Sequence, residues 1–254
     1  GSTLDPHRVG YGKTFTIVAA IMKLRQYGLA KKPMIVVPNH LIGQWSGEFR
    51  QLYANAKLLI AEKEDLEQSR RKMFVSKAAM GDWDAIIIAQ SAFAKIPVSK
   101  ERQRRKIEQE IEDIENSIRD RKEKYDHTSV KNLERIKKSR EAALKRLMDD
   151  KTKDTVLTFE NLGVDYLFVD ESDAYKNLFL FTKMNNVSGI SNAASRRASD
   201  MKLKCEYLND LHGGDKGVVF ATGTPISNSL CELYTLQRYL RQNALNELGL
   251  QYFD

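Results

Sequence analysis

Residues 166–171 read Tyr166-Leu167-Phe168-Val169-Asp170-Glu171, an apolar run that ends in two carboxylates. An uninterrupted apolar run of this length is typical of a strand that is buried on both faces of a parallel sheet. We therefore predict a strand over Tyr166–Asp170. Four further runs of the same kind, bounded by Pro, Gly or charged residues, predict strands over Met34–Val37, Leu58–Ala61, Ala85–Ala89 and Val218–Ala221.

Segments of helical periodicity separate these runs. They span Thr14–Tyr27, Leu41–Leu52, Asp65–Ala79 and Asn228–Arg241. Strands that alternate with helices are typical of βαβ units, in which helices cover both faces of a mainly parallel sheet. The sequence therefore predicts an α/β fold, arranged as a three-layer αβα sandwich.

The segment 99–154 interrupts this alternation, because it has no strand pattern and is rich in Glu, Lys and Arg. Two narrow apolar seams at helical spacing predict an antiparallel helical hairpin or short coiled coil. Since both signs of charge are interspersed, a solvated insertion is one interpretation and an arm that contacts DNA or a partner is the other. The seams consist of Ile107, Ile111, Ile114 and Ile118, then Leu133, Ile136, Leu144 and Leu147.

The composition excludes several classes of protein. No run approaches the roughly 18 apolar residues of a membrane span, and the beginning of the chain lacks the pattern of a secretory signal. The two cysteines, Cys205 and Cys231, suit neither a disulfide framework nor a metal site, which favours a reducing, intracellular setting. A net charge of +7 favours an anionic partner but does not specify one.

A glycine-rich segment, Gly10-Tyr11-Gly12-Lys13-Thr14, directly precedes the first predicted helix. Glycines allow backbone N–H groups to approach a phosphate, and the helix presents its positive end to the same anion. The lysine supplies a mobile positive charge for the outer phosphates, and the threonine hydroxyl is a ligand for Mg²⁺. His7 stands where the strict pattern begins with another glycine. The segment predicts binding of a nucleoside triphosphate.

The carboxylates after the predicted strand supply the second half of such a site. Asp170, at the end of a buried strand, is placed to hold Mg²⁺ directly or through water. Glu171 can then orient or deprotonate the attacking water. A turn-forming role explains either residue alone, but the glycine-rich segment upstream favours an ATP site.

Another predicted strand runs into Thr222-Gly223-Thr224-Pro225. The threonine hydroxyls at this edge could bond the acidic pair and report the state of the γ-phosphate. Alternatively the segment is a turn and N-cap before the last predicted helix, since Thr, Gly and Pro are turn residues. The two interpretations are compatible.

Four segments of the chain carry recognisable motifs. In chain order they are His7–Thr14; Met34–Leu41 with Gln44-Trp45 and Glu48-Phe49; Asp170–Asp173 with Lys176-Asn177; and Thr222–Pro225 with Asn228 and Glu232–Tyr234. In this order they resemble the first motor lobe of superfamily 2 helicases, most closely the Swi/Snf-type translocases. More narrowly, the chain is similar to the large helicase–methylase proteins of phages and conjugative elements.

The resemblance implies that residues 1–254 form a RecA-like ATP-binding lobe, with 99–154 as an insertion. It implies an ATP hydrolase that uses Mg²⁺ and tracks along duplex DNA independently of sequence, in the cytoplasm of a bacterial cell or of the host of a mobile element. The expected catalytic residues are Lys13, Asp170 and Glu171. Coupling of the motifs is implied for Asp173, Thr222, Gly223 and Thr224, and DNA contact for Pro38, Asn39, His40, Gln90 and Ser91.

Several features depart from the family pattern. Tyr11 is bulkier than usual, Asp173 replaces a common histidine, and Pro6 removes one N–H donor before the loop. The adenine-recognition segment and the second motor lobe, with its arginines, are expected outside these residues, so the isolated lobe is expected to hydrolyse ATP weakly or not at all.

Two alternatives remain open at this point. One is the motor lobe of a restriction, antirestriction or DNA-modification machine. The other is a non-catalytic module that binds DNA or a partner through the helical insertion.

Overall fold

The computed structural model describes residues 1–6, 12–62, 64–67, 69–123, 127–149, 158–178, 195–227 and 229–250. Its contacts divide the chain into two compact units, Gly1–Pro97 with Leu157–Asp254, and Val98–Val156. Within the described ranges, no helix combines the length and the apolar character that crossing a membrane requires.

The first unit is built on a sheet of six strands in the order β1-β6-β5-β2-β4-β3, in the part of the chain that the structure describes. Each strand pair is parallel. The α/β class and the parallel sheet predicted from the sequence are confirmed. The strands are β1 (Thr3–Asp5), β2 (Pro33–Val37), β3 (Leu58–Ala61), β4 (Ala85–Ala89), β5 (Tyr166–Val169) and β6 (Val218–Ala221).

Helices of the first unit border the sheet and provide the remaining layers. Their bounds differ from the predicted ones mainly at the start, since the predicted Asp65–Ala79 begins as a 3₁₀ turn at Glu64–Leu66 and becomes helical only at Arg71. The helices of the first unit are α1 (Lys13–Gln26), α2 (Ile42–Leu52), α3 (Arg71–Met80), α4 (Gln90–Phe93), α7 (Arg196–His212), α8 (Cys231–Leu240) and α9 (Gln242–Glu247). The second unit contains α5 (Lys100–Glu123) and α6 (His127–Asp149).

Alternate residues of the central strands face two different sets of helices. Ile35, Ile87 and Phe168 lie opposite one another in register and share a buried cluster with residues of α1 and α2. On the other face, the ring of Phe220 in β6 packs 5.2 Å from that of Tyr239 in α8. Both faces of the sheet are thus covered, which explains why the strand sequences are apolar without alternation.

The helical hairpin predicted for the insertion is confirmed. α5 and α6 pair through Glu115 with Lys137 at 2.7 Å and Glu110 with Arg140 at 3.2 Å. From Glu110 to Glu115 the residue number in α5 rises, while that of the partner in α6 falls from Arg140 to Lys137, so the two helices are antiparallel. Ile114, Val130 and Leu133 are buried.

The sequence does not predict several elements, among them β1 and α7. Thr3–Asp5 is too short to show a periodicity, yet it pairs with β6 as β1. In α7 the buried positions include Lys202 and Lys204, so charged residues interrupt the apolar stripe that indicates a helix.

Candidate nucleotide site

The carboxyl ends of the strands meet at one edge, because all the pairings are parallel. From β2 the chain moves to β3 and β4 on one side, and then crosses to β5 and β6 on the other side. Ligands of open parallel sheets bind in the crevice at such a change of direction. The loops after β2, β4, β5 and β6 therefore border the candidate site.

The start of α1 has the backbone that a phosphate-binding turn needs. Gly12 caps the helix at φ 78°, in the left-handed region that favours glycine, and its carbonyl accepts the N–H of Thr16 at 3.0 Å. Lys13 is the first helical residue, and the half-buried Thr14 lies in the first turn. The N–H groups of a first turn have no partners within the helix and favour an anion. The predicted site residues Gly10 and Tyr11 lie outside the described residues.

Lys13 joins the two halves of the predicted site. Its Nζ lies 3.1 Å from Oε1 of Glu171, although the two residues are 158 positions apart. The side chain of Lys13 is 10% exposed and that of Glu171 is 36% exposed. The beginning of α1 and the end of β5 therefore place a cation and a carboxylate in direct contact.

Asp170 is held on both of its carboxylate oxygens. Oδ2 accepts the indole N–H of Trp45 at 3.1 Å, and Oδ1 accepts the backbone N–H of Glu171 at 3.0 Å. Burial raises the pKa of Asp170, while the Trp45 hydrogen bond and the positive charge of Lys13 act in the opposite direction. Each oxygen keeps a further lone pair, so the oriented carboxylate can still accept a ligand.

Glu171 has a strained backbone. Its φ of 49° and ψ of 55° lie in the left-handed region, and no other non-glycine residue in the described ranges has a positive φ. Such a conformation costs about 1–3 kcal/mol and is concentrated at functional sites. The Gln90 side chain stabilises this turn, because its Nε2 donates to the Asp170 carbonyl at 3.1 Å and lies 3.5 Å from that of Glu171.

The oxygen donors suit Mg²⁺, which prefers oxygen ligands and keeps several waters when it is bound with phosphates. The Asp170 carboxylate and the Thr14 hydroxyl are the residues that would hold the ion. Bound there, it would neutralise charge on the phosphates.

The threonine segment after β6 is a tight turn. Thr222 continues the β1–β6 ladder, since its N–H donates to the Asp5 carbonyl at 3.1 Å. Its hydroxyl accepts the N–H of Thr224 at 3.1 Å, across Gly223. The turn interpretation therefore accounts for the geometry of the hydroxyl, and the role of these residues in coupling stays a prediction. Asp173 lies in the exposed part of the 3₁₀ turn Ser172–Tyr175.

A buried ion pair connects the acidic segment, Asp170–Asp173, to the threonine segment, Thr222–Pro225, through residues that follow each of them. Lys176 Nζ lies 2.9 Å from Oε2 of Glu232 and 2.9 Å from the Ser227 hydroxyl, and it also donates to the carbonyl of Thr224. The Ser227 N–H donates to the same Glu232 oxygen at 2.7 Å. Both charged side chains are 9% exposed. The link between the two motifs thus runs through a lysine that the sequence pattern had not singled out as a coupling residue.

The residues predicted to contact DNA divide into two groups. Asn39 and His40 are exposed in the loop after β2, with Pro38 and Ser91 half-buried beside them. The Asn39 side-chain oxygen accepts the Ser91 N–H at 3.3 Å, which brings the loops after β2 and β4 together. Gln90 is 7% exposed, and its amide is occupied by the turn at Asp170. In this structure the Gln90 side chain therefore supports the turn at Asp170 and Glu171.

Trp45 contributes to the candidate site through a hydrogen bond that the sequence pattern does not predict. The four-residue spacing of Trp45 and Phe49 predicts a core position, and both are buried. The contact of the indole N–H with Asp170 was not predicted. A buried tryptophan generally has a partner for its N–H, but identifying that partner requires the pairing of β2 with β5.

Comparisons with known proteins place the chain in a family. A search of curated proteins returned no match. Among solved structures, the SWI2/SNF2 ATPase core of Sulfolobus solfataricus in complex with dsDNA is similar, at 13% identity and a TM-score of 0.48, over 99% of this chain and 33% of that one. The model of a family described as a probable helicase domain matches residues 1–254. That match extends over the entire sequence, and the chain belongs to this helicase-domain family.

Proposed function

We propose that this chain is the ATP-binding lobe of an ATP-dependent, helicase-like motor that tracks along duplex DNA. The observation that carries the proposal is the contact between Lys13 and Glu171, with Asp170 beside them. It combines a phosphate-binding lysine at a helix start with two carboxylates at the end of a buried strand. Membership of the helicase-domain family supports the same conclusion.

The chemistry follows from the positions of the three charged groups. Lys13 and the N–H groups of the first turn of α1 bind the phosphates, while Thr14 and Asp170 hold Mg²⁺ beside them. Glu171, at the edge of the sheet and partly exposed, orients the attacking water or accepts its proton. Lys176 and Glu232 hold the threonine segment near the acidic segment, which offers a route for coupling hydrolysis to movement.

DNA is the proposed macromolecular partner. The exposed Asn39 and His40 occupy a loop at the same edge of the sheet as the nucleotide site, and the chain carries a net charge of +7. Polar side chains and backbone N–H groups of such loops suit phosphate oxygens, which carry no sequence information. A second motor lobe of the same full-length protein is the other proposed partner. It would supply arginines to the transferring phosphate.

Within the helicase-domain family, we assign the chain to the Swi/Snf-type branch and to the helicase–methylase proteins of mobile elements. The support for the Swi/Snf-type branch is the sequence of the second and fourth motifs, Pro38-Asn39-His40-Leu41 and Thr222-Gly223-Thr224-Pro225. Use of ATP on duplex DNA is consistent with the cytoplasm of a bacterial cell or phage host.

Nucleotide binding tests the first part of the proposal. Isothermal titration of the chain with Mg·ATP and Mg·ADP is expected to show weak, saturable binding that Lys13→Ala abolishes. Lys23→Ala is the matched control, because it removes an exposed lysine from the same helix and is expected to bind like the wild type. Absence of binding at millimolar ligand, or equal binding by Lys13→Ala, would contradict the proposal.

DNA binding tests the second part. Fluorescence anisotropy with a labelled duplex is expected to show affinity that falls steeply with salt and does not depend on sequence. Asn39→Ala combined with His40→Ala is expected to weaken binding similarly on all duplexes. Asn55→Ala, an exposed asparagine in the turn that precedes β3, is the control. Binding that is independent of salt would refute phosphate-based tracking.

A further inference from the structure

Trp45 and Asp170 form a buried contact between two elements of the candidate site. Trp45 lies on α2 and is 1% exposed, and Asp170 follows β5 and is 5% exposed. The indole Nε1 lies 3.1 Å from Oδ2 of the carboxylate. The other oxygen, Oδ1, accepts the backbone N–H of Glu171 at 3.0 Å. Two donors from separate parts of the chain therefore fix the plane of this carboxylate.

The indole is well suited to hold a carboxylate in place. Its ring belongs to the buried cluster that includes Ile17, Val37 and Phe49, so packing fixes the position of Nε1. The group is a donor only and carries no charge. It therefore orients the carboxylate without placing a second cation next to the position of a metal ion, as a lysine would.

We propose that Trp45 is a positioning residue that orients Asp170 for the metal ion and that its indole senses the ion's arrival. This inference rests on the proposed nucleotide site and adds to it a determinant of metal affinity. Groups that hydrogen-bond a metal-ligating side chain and orient it commonly change metal affinity about 10–100-fold when they are replaced. The metal-free binding of nucleotide depends instead on Lys13 and the start of α1.

The two tryptophans of the chain provide a matched pair of variants. Trp45→Phe removes the N–H that bonds Asp170 and keeps an aromatic ring in the core. Trp83→Phe removes an indole N–H that donates to the Lys77 carbonyl at 3.0 Å, outside the candidate site. It also leaves Trp45 as the single tryptophan, so its emission reports on the site alone.

The first measurement is the Mg²⁺ concentration that gives half-maximal enhancement of ADP binding. We expect Trp45→Phe to raise this concentration about 10–100-fold and Trp83→Phe to leave it unchanged. Binding of ADP in EDTA is expected to be equal in all three proteins, because it does not use Asp170. A merely structural role for Trp45 would weaken binding equally with and without metal.

The second measurement does not depend on the stability of Trp45→Phe. In Trp83→Phe saturated with ADP, addition of Mg²⁺ is expected to change the Trp45 emission, and Asp170→Asn in the same background is expected to abolish the change. If the wild type binds no nucleotide, the proposed site itself fails. If it binds with a Mg²⁺ requirement that Trp45→Phe does not alter, or if the Trp45 emission is insensitive to Mg²⁺, the inference about Trp45 is overturned alone.

Discussion

Replacement of Lys204 by methionine is expected to destabilise the fold through the charge that it leaves behind. The Lys204 side chain is fully buried on α7, with Nζ 2.6 Å from Oδ2 of Asp200 and 2.8 Å from the carbonyl of Phe93. The same nitrogen lies 3.9 Å from the centre of the Phe93 ring. Burial lowers the pKa of Lys204 and raises that of Asp200, so neither charge is well solvated by the protein.

The size of the stability loss is limited by the cost of protonating Asp200 once its partner lysine is removed. An aspartate with an ordinary pKa of 3.8 can be neutralised at pH 7 at a cost of about 4.4 kcal/mol, at 1.36 kcal/mol per pH unit, which sets an upper limit. The side chain is 25% exposed, and partial hydration reduces the cost. The Phe93 carbonyl keeps a bond from the Ile96 N–H at 3.2 Å. We expect Lys204→Met to lower the free energy of unfolding at pH 7 by about 2–4 kcal/mol.

The loss should depend on pH with a defined sign. Without Lys204, the pKa of Asp200 in the folded state lies above that in the unfolded state. The deficit is therefore present above the folded-state pKa and disappears as the pH falls below 3.8. Adding Asp200→Asn to Lys204→Met removes the unpaired charge and should restore stability to within about 1 kcal/mol of the wild type.

Urea denaturation followed by circular dichroism, at pH 7 and near pH 4, measures these differences. A deficit of the same size at both pH values, or a double variant as unstable as Lys204→Met, would show that lost packing and not the unpaired charge is responsible. Lys216→Met, at an exposed lysine before β6, is the control and should be nearly neutral.

Three further predictions concern other positions. Glu232→Gln keeps an acceptor for Ser227 but removes the charge that pairs with Lys176, and denaturation should show a loss of about 1–3 kcal/mol. Gly217→Ala places a Cβ 2.7 Å from the ring of His212, at a φ of +88°, and should lower the free energy of unfolding by about 2–4 kcal/mol. Gly47→Ala, in open space on α2, should raise it by about 0.5–1 kcal/mol, and the reverse order would be inconsistent with these contacts. Burial raises the pKa of Cys205 to about 12, so a thiol reagent should modify it only after unfolding, and rapid labelling of the native chain would contradict its burial.

Patterns that depend on burial were readable from the sequence. Five strands were predicted because both faces of the sheet are covered, which makes runs such as Met34–Val37 and Ala85–Ala89 apolar throughout. The same reasoning located Asp170 at a strand end, and the helical hairpin followed from its two seams. These features are local, and a window of a few residues contains the information.

Features that arise from contacts between distant segments were not readable. The sequence pattern does not predict α7, because Lys202 and Lys204 are buried with partners on other turns and other elements, which gives charged residues at core positions. Trp45 was predicted as a core residue, but its bond to Asp170 depends on how α2 packs against the end of β5. The resemblance implies DNA contact for Gln90, which stays a prediction, but it does not reveal that the Gln90 side chain holds a strained turn inside the protein.

The location of the metal ion tests the central claim most directly. Crystals grown with Mn²⁺ and a non-hydrolysable ATP analogue allow the ion to be located by its anomalous scattering. The account predicts an anomalous peak between the Asp170 carboxylate and the Thr14 hydroxyl, with Lys13 on the outer phosphates. A peak remote from the start of α1, or phosphates bound without Lys13, would contradict it.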